Sequence, residues 1–389
     1  MLNIVNKEKC CGCAACANIC PKEAITMTQD LEGFYYPSVL QERCIDCGLC
    51  DKVCQFNTVS KTTDLPVAYA AYCLDTKLRQ KSSSGGVFSL LAECVLKKGG
   101  IVYGVAMSED CRSCSYIKVE NKKDLPKLRG SKYFQAQPPT VYCSIKEQVL
   151  TGKMVLFSGT GCQINALKNY LSNDYSNLIT VDVICHGCPS PELWKSNISY
   201  FENKYNDKIK SVNFRNKRVG WEKFELAYEF QRNSISLSKE KDAFMQMFLH
   251  NYSLRPSCYN CPAKMTKMSD ITLGDFWGVR DVLPEMYDDN GTSLVLLRSE
   301  KGKHIFDLIT KYMKAIEVPY EDAVLKNSAE YASVEKPNSR DKFFEDMRLL
   351  SFEELSKKYN KKSYKYHIKH MLVKIGVWKY YEKYVNHNI

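Results

Sequence analysis

CCGCAACANIC at residues 10–20 and CIDCGLCDKVC at residues 44–54 decide how this chain begins to fold. Cysteines fall at 10, 13, 16 and 20 and again at 44, 47, 50 and 54, so each run reads C-x2-C-x2-C-x3-C. Three thiolates at that spacing hold three irons of a [4Fe–4S] cube, and the fourth is displaced enough to serve the other cube. The expected ligand sets are Cys10, Cys13, Cys16 and Cys54 for one cluster and Cys44, Cys47, Cys50 and Cys20 for the second. Pro21 follows its run as this pattern requires, whereas Gln55 stands at the matching place after Cys54. Zinc also takes C-x2-C pairs, but a structural zinc site uses four ligands, and two matched four-cysteine runs exceed that. Cys11, wedged between ligand positions, is expected to be a bystander.

The spacing is that of two-cluster bacterial ferredoxins, and the module is expected to occupy residues 1–60. The whole chain of 389 residues is long enough for further domains with a sizeable core. Its 44% hydrophobic and 25% charged residues are ordinary for a soluble globular protein. Nineteen cysteines are not ordinary. In a secreted chain they would suggest disulfides, but residues 1–10 form no apolar signal segment and the clusters require reduced thiols, so a reducing cytoplasm is expected. No stretch approaches the ~20 apolar residues needed to span a bilayer. The net charge of +11 fits an anionic partner or a plainly solvated basic surface, and does not choose between them.

After a short polar linker ending at Pro66, strand-like and helix-like segments alternate. VAYAAYCL (67–74), IVYGVAM (101–107), SYIKVE (115–120), MVLFSG (154–159) and LITVDVI (178–184) read as strands. The stretches 140–151, 162–171 and 190–205 read as helices, and SSSGGVFSLLAECVLKKGG as a helix capped by its serines and closed by Gly99 and Gly100. This succession implies an α/β domain with a largely parallel or mixed sheet, whose ligands lie beyond the carboxyl ends of the strands. SSSGG and GTGCQ fall where strand passes to helix, where backbone N–H groups attract anions, although glycine-rich helix starts are more often plain turns.

Four later cysteines stand out: Cys162 in GTGCQ, Cys185 in ICHG, and the pair Cys258 and Cys261 in SCYNCP. They are either scattered buried cysteines or ligands of a third cluster, and spacing alone leaves both open. SGGVFSLL, LRGSKY, VLFSGTGCQINALK, VICHG, CYNCPAK and SDITLGDFWG, in that order over about residues 67–300, resemble the coenzyme F420 hydrogenase/dehydrogenase beta-subunit family. The resemblance implies an FAD beside a [4Fe–4S] cluster held by Cys162, Cys185, Cys258 and Cys261. The family usually carries Pro before the Cys-Gln pair, and this chain has Gly161. Cys188 is expected to be a bystander, and Cys111 and Cys114 incidental.

By the same resemblance Ser84, Gly85 and Gly86 line the flavin phosphates, Gly130, Ser131, Lys132 and Tyr133 approach the FAD, and Asp270, Gly274 and Asp275 close the site. Lys132 and His186 are the candidate catalytic residues, against the plainer readings of a surface salt bridge and a satisfied core histidine. The expected fold class is α+β: the dicluster ferredoxin-like domain over 1–60, a larger α/β domain binding FAD and [4Fe–4S] over 67–335, and a basic helical tail over 336–389.

FRNKRVGW (214–221) reads as a loop, either a binding element for an anionic, ring-bearing substrate or a solvated basic turn. In the tail, Ile368, Leu372, Ile375 and Trp378 fall near helical spacing among lysines. Such a helix can lie peripherally on an anionic membrane, dock on an acidic partner or pack on its own domain. No nucleic-acid motif accompanies it. The expected function is an iron–sulfur flavoprotein oxidoreductase passing electrons between clusters and FAD, with coenzyme F420 or another small-molecule substrate, and a ferredoxin or a reductase or hydrogenase subunit as redox partner. The alternatives are an electron-transfer subunit with no substrate site of its own, or a zinc- or cluster-bearing binding module without redox turnover.

Overall fold

The computed structural model describes residues 6–58, 62 and 64–360. In the N-terminal region two short helices, α1 (Ala15–Ile19) and α2 (Leu49–Lys52), each start on a left-handed residue, Ala14 at φ 59° and Gly48 at φ 72°. Both residues directly follow the second cysteine of a run. The reversal therefore recurs at the same place in each run. The antiparallel hairpin β1 (Ile25–Gln29) and β2 (Tyr35–Val39) pairs Ile25 with Val39 and lies between the runs in sequence.

The body is built on an eight-stranded mixed sheet. Its strands are β3 (Val67–Cys73), β4 (Ile101–Met107), β5 (Cys114–Val119), β6 (Val155–Thr160) and β7 (Leu178–Val183), then, after a separate antiparallel sheet of β8 (Ile209–Asn216), β9 (Glu225–Phe230) and β10 (Ser234–Ser238), β11 (Ile271–Asp275), β12 (Ser293–Leu297) and β13 (Met313–Val318). The order is β13-β3-β12-β11-β7-β6-β4-β5, with β4, β6, β7 and β11 mutually parallel. Valine- and leucine-rich runs such as VLF and LITV suit strands covered on both faces. Because β12 is antiparallel to both β11 and β3, β3 runs with the parallel core. The carboxyl ends of β3, β4, β6, β7 and β11 therefore share one edge with the start of β12.

Helices cover that sheet. After α3 (Thr76–Gln80), α4 (Val87–Lys97) packs Val87, Leu91 and Val95 with Val102, Leu156, Ile179 and Val295, while α5 (Tyr142–Leu150) and α6 (Gly161–Leu171) close the region around Phe157. A second, aromatic core lies around Trp194 of α7 (Pro191–Tyr205), with Phe134, Phe214 and Phe244 at ring-centroid distances of 5.1, 4.7 and 4.9 Å.

The elements expected from the sequence are present within a residue or two at each end, with three corrections. No serine side chain caps α4: its cap is Gly86, at φ 90°, which no β-carbon-bearing residue adopts readily. FRNKRVGW is a solvated turn only at Arg218 and Val219. Phe214 and Arg215 belong to β8, and Arg215, Lys217 and Trp221 are buried. The body also extends beyond residue 335, since Phe343, Phe344, Phe352 and Leu355, on the helices Arg340–Leu349 and Phe352–Tyr359, join the aromatic core. Burial against those rings is what takes their apolar faces out of water. The remaining tail, residues 361–389, lies outside the described residues.

Candidate metal centres and cofactor site

Cys10, Cys13, Cys16 and Cys54 line one cavity, and Cys20, Cys44, Cys47 and Cys50 line another. Burial pushes the Cys54 thiol up to about 11, with Cys13 and Cys10 adding to it. Cys16 is raised first by burial and then by Cys13, Cys10 and Cys54. A multivalent iron centre would remove that mutual repulsion by binding the groups as thiolates. Among the described residues no three His, Cys, Asp or Glu side chains stand where one ion would bind them. A cube spaces its ligands more widely, because each thiolate takes a different iron.

The later cysteines also converge. Cys162 is the second residue of α6, set by a capping box in which the backbone N–H of Thr160 donates to Gln163 Oε1 at 2.9 Å. Gly161 before it is tightly placed: a β-carbon there would lie 3.1 Å from Asp182 Oδ2 and 3.3 Å from Ala263 Cβ, which explains a small residue where the family carries proline. Cys185 follows β7, Cys258 lies within the short helical turn Pro256–Asn260, and Cys261 follows it. Burial pushes Cys261 up to about 12, with Cys162 and Cys185 adding to it. Cys258 is raised by burial and then by Cys261, Cys185 and Cys162.

Two expected bystanders stand inside this assembly. The Cys188 N–H donates to Cys258 Sγ at 3.3 Å, and its thiol is raised by burial and by Cys258, Cys185 and Cys162. Cys11 and Thr160, whose hydroxyl meets Cys162 Sγ at 3.1 Å, hold the Cys162 thiol below its usual range. Gln55 Nε2 reaches Cys11 Sγ at 3.1 Å and the Cys162 carbonyl at 2.8 Å, joining the two cysteine sets. Lys264 donates to the Cys185 carbonyl at 2.5 Å. Cys111 and Cys114 are buried in the aromatic core, where the Cys111 carbonyl accepts from Trp194 Nε1 at 2.7 Å.

The residues assigned to FAD by resemblance divide. Ser84, Gly85 and Gly86 lie at the sheet edge that carries the strands' carboxyl ends: the Gly85 N–H donates to Ser293 Oγ at 3.0 Å and its carbonyl accepts from the Cys73 N–H at 2.7 Å. Ser83 Oγ meets the Ser131 N–H at 3.0 Å, so the SSSGG and RGSKY segments touch. The absence of a side-chain cap on α4 leaves first-turn N–H groups for an anion. Gly130, at φ 80°, has open space where a β-carbon would stand. The Tyr133 ring packs edge-on against Phe214 at 5.6 Å. Gly274 and Asp275 end β11 at the same edge, where Asp275 pairs with Arg215 at 2.9 Å and accepts from Trp221 Nε1 at 2.7 Å.

Asp270 does not belong there. It precedes β11, about 17 Å from Asp275 at the ~3.3 Å rise per residue of a strand. Its carboxylate accepts from the Thr180 N–H and hydroxyl, both at 2.7 Å, and from Ser299 Oγ at 2.7 Å. It is a staple at the amino end of the sheet. Asp270→Ala is expected to cost on the order of 3 kcal/mol in denaturant unfolding, because buried donors lose a charged acceptor, with iron per folded chain unchanged. Lys132 is also engaged otherwise: its ammonium donates to the carbonyls of Lys127, Leu128 and Arg129 at 3.4, 3.1 and 3.0 Å, and burial pushes it down to about 8. His186 Nε2 meets Asn251 Oδ1 at 2.6 Å, which satisfies it within the fold.

Residues missed from sequence are Gln55, Arg255, Lys264 and Ser83. Gln55 carried a signal as a departure from the proline pattern, Ser83 lies in SSSGG and Lys264 in CYNCPAK, and Arg255 carried none.

Residues 152–322 match the family model for the C-terminal part of the coenzyme F420 hydrogenase/dehydrogenase beta subunit, and residues 68–141 match the model for its N-terminal part. Residues 9–58 match a 4Fe-4S dicluster domain. An uncharacterized ferredoxin of Methanocaldococcus jannaschii is 48% identical over 33 residues, which is 8% of this chain and 43% of the ferredoxin, so the chain spans less than half the length of that relative. A chain in a xenon-derivatized F420-reducing [NiFe] hydrogenase complex from Methanosarcina barkeri has 17% identity and a TM-score of 0.46, covering 70% of this chain and 91% of its own. No helix among the described residues is long and apolar enough to cross a membrane. Since the models for the N- and C-terminal parts of the beta subunit together match more than half of the sequence, the chain belongs to the coenzyme F420 hydrogenase/dehydrogenase beta-subunit family, with a 4Fe-4S dicluster domain in front.

Proposed function

We propose that this chain is an iron–sulfur flavoprotein oxidoreductase in which Cys162, Cys185, Cys258 and Cys261 hold a third [4Fe–4S] cluster between the dicluster region and an FAD. The observation that supports it is that Cys162, Cys185 and Cys261 each raise the Cys258 thiol, while Gln55 bridges Cys11 of the first run and the Cys162 carbonyl. FAD exchanges electron pairs as hydride with an organic partner and single electrons with clusters. In this reading Ser84, Gly85, Gly86 and the segment 130–133 hold its phosphates and flank its ring, with Gly274 and Asp275 beside them. Residues 1–60 form the relay and residues from 67 onward the cofactor domain. Coenzyme F420 or another organic molecule is the hydride partner, and a ferredoxin or a hydrogenase or reductase subunit the one-electron partner.

Anaerobic purification with iron, sulfide and flavin analysis tests the reading: about twelve irons and about one FAD per chain are expected from three cubes and one flavin. About eight irons without flavin would refute it. Gly85→Ala sharpens the test. A β-carbon there would fall on the Ala71 carbonyl oxygen and within 2.8 Å of the Ser293 nitrogen, both backbone atoms that cannot yield cheaply. The expected result is loss of flavin with iron retained, and a stability cost of roughly 1–3 kcal/mol.

A further inference from the structure

Arg255 is only 1% exposed and ties the two cysteine assemblies together with different parts of itself. Its backbone belongs to the later set: its N–H donates to the Cys188 carbonyl at 2.9 Å, and its carbonyl accepts from the Cys258 N–H at 2.9 Å. Its side chain belongs to the first run. Nε donates to the Cys10 carbonyl at 2.6 Å, Nη2 to the Tyr35 carbonyl at 2.9 Å and toward Cys10 Sγ at 3.5 Å, and Nη1 to Gln135 Oε1 at 3.1 Å. The guanidinium lies 4.1 Å from the Tyr36 ring centroid. Among the groups the guanidinium hydrogen-bonds, only the Cys10 sulfur can carry a compensating negative charge, since the others are carbonyls and an amide.

A buried cation is costly unless something negative answers it. Here that is a thiolate of the inner cluster, the one ligated by Cys10, Cys13, Cys16 and Cys54. Adding an electron to a cube makes it more negative. Burial opposes that change and a fixed positive charge favours it, because cluster potentials follow net charge, hydrogen bonds to sulfur and exposure. The outer cavity, lined by Cys20, Cys44, Cys47 and Cys50, has a different setting: Lys22 and Asp46 line it, both exposed and opposite in sign. Without a cation, the more buried inner site would be the harder of the two to reduce.

We propose that Arg255 is a positioning residue that fixes the direction of electron flow, holding the inner cluster at or above the potential of the outer one so that an electron entering outside moves inward. The step is a one-electron exchange. With the clusters these cysteines would hold bound, the exchange would be of one electron from a carrier protein to the outer site and on to the inner, with no proton or covalent bond changing hands. The order of these two potentials depends on the two ferredoxin-type clusters and on Arg255, not on a third cluster or a flavin. Passage onward to Cys162, Cys185, Cys258 and Cys261 rests on the reading above, so failure there, seen as about eight irons in place of about twelve, is separable from failure here.

The test is an anaerobic redox titration followed by electron paramagnetic resonance, with Cys47→Ser identifying the outer cluster by its altered signal. In the unmodified protein the inner cluster should be reduced at a potential equal to or above the outer; the reverse order overturns the proposal without any Arg255 variant. Arg255→Met should lower the inner cluster selectively by at least tenfold in its redox equilibrium, about 59 mV for one electron. Arg255→Lys, which keeps the charge, should restore most of it. Arg340→Met is the control for mere loosening, because Arg340 ties Glu32 to the helix Arg340–Leu349 at 2.6 Å without touching a cysteine. An unchanged potential in Arg255→Met, an equal fall in both clusters, or the same fall in Arg340→Met overturns the assignment.

Discussion

Cys258→Ser, combined with Cys188→Ala, is expected to remove about four irons per chain and leave about eight, those of the dicluster region. Cys258 is the thiol whose neighbours include all three others of its set, and the Cys188 N–H points at its sulfur. Serine oxygen is a poor ligand for a cube, and the site would lose one of its four anchors. Cys188 is removed as well because its thiol already stands among the four and is the obvious substitute. Reduction of flavin by a one-electron donor should stop in this variant, while direct exchange of hydride with an organic partner at the flavin should persist. Iron analysis and stopped-flow absorbance read both outcomes. Unchanged iron would mean that these cysteines are packing residues, the plainer reading of their spacing.

Trp194→Ala should be the most damaging single change away from the cysteines. The indole is fully buried, contacts Phe134, Phe214 and Phe244, and donates to the Cys111 carbonyl at 2.7 Å. Removing a buried aromatic of this size typically costs about 3–5 kcal/mol, and the orphaned carbonyl adds to it. A shift of that size is readable in denaturant unfolding of the holoprotein. Because Phe134 follows Tyr133 directly and Phe214 lies against the Tyr133 ring, the collapse of this core should also loosen the segment 130–133 and lower flavin content. A loss below about 1 kcal/mol would show that the surrounding rings refill the space.

The order of motifs resembling the beta-subunit family was legible because each keeps its spacing within a short stretch, and the matches over residues 68–141 and 152–322 agree with it. The strands were legible for a similar reason: runs such as VLF and LITV suit a strand buried on both faces wherever they occur. Asp270 misled because SDITLGDFWG is one motif in sequence but an extended strand in space. Its two aspartates end up at opposite edges of the sheet. The basic reading of FRNKRVGW failed because composition records charge and not burial. Arg215 packs over Phe224 at 3.8 Å and pairs with Asp275, while the Lys217 ammonium donates to the carbonyls of Arg79, Ser84 and Asn290.

What the amino-acid order determined by itself was local chemistry: two four-cysteine runs, the alternation of strand and helix, and the glycines at helix starts. Ligand spacing and hydrophobic periodicity act over a few residues, so no fold is needed to read them. What only the tertiary structure decided was adjacency. Cys11 comes against Cys162, and Arg255 against Cys10 across a sequence separation of 245 residues, because the parallel strands deliver their carboxyl ends to one edge where the first cysteine run docks. A buried cation and the thiolate that answers it carry no mark of each other in sequence, since what joins them is the loss of water between two surfaces that meet only when the chain is folded.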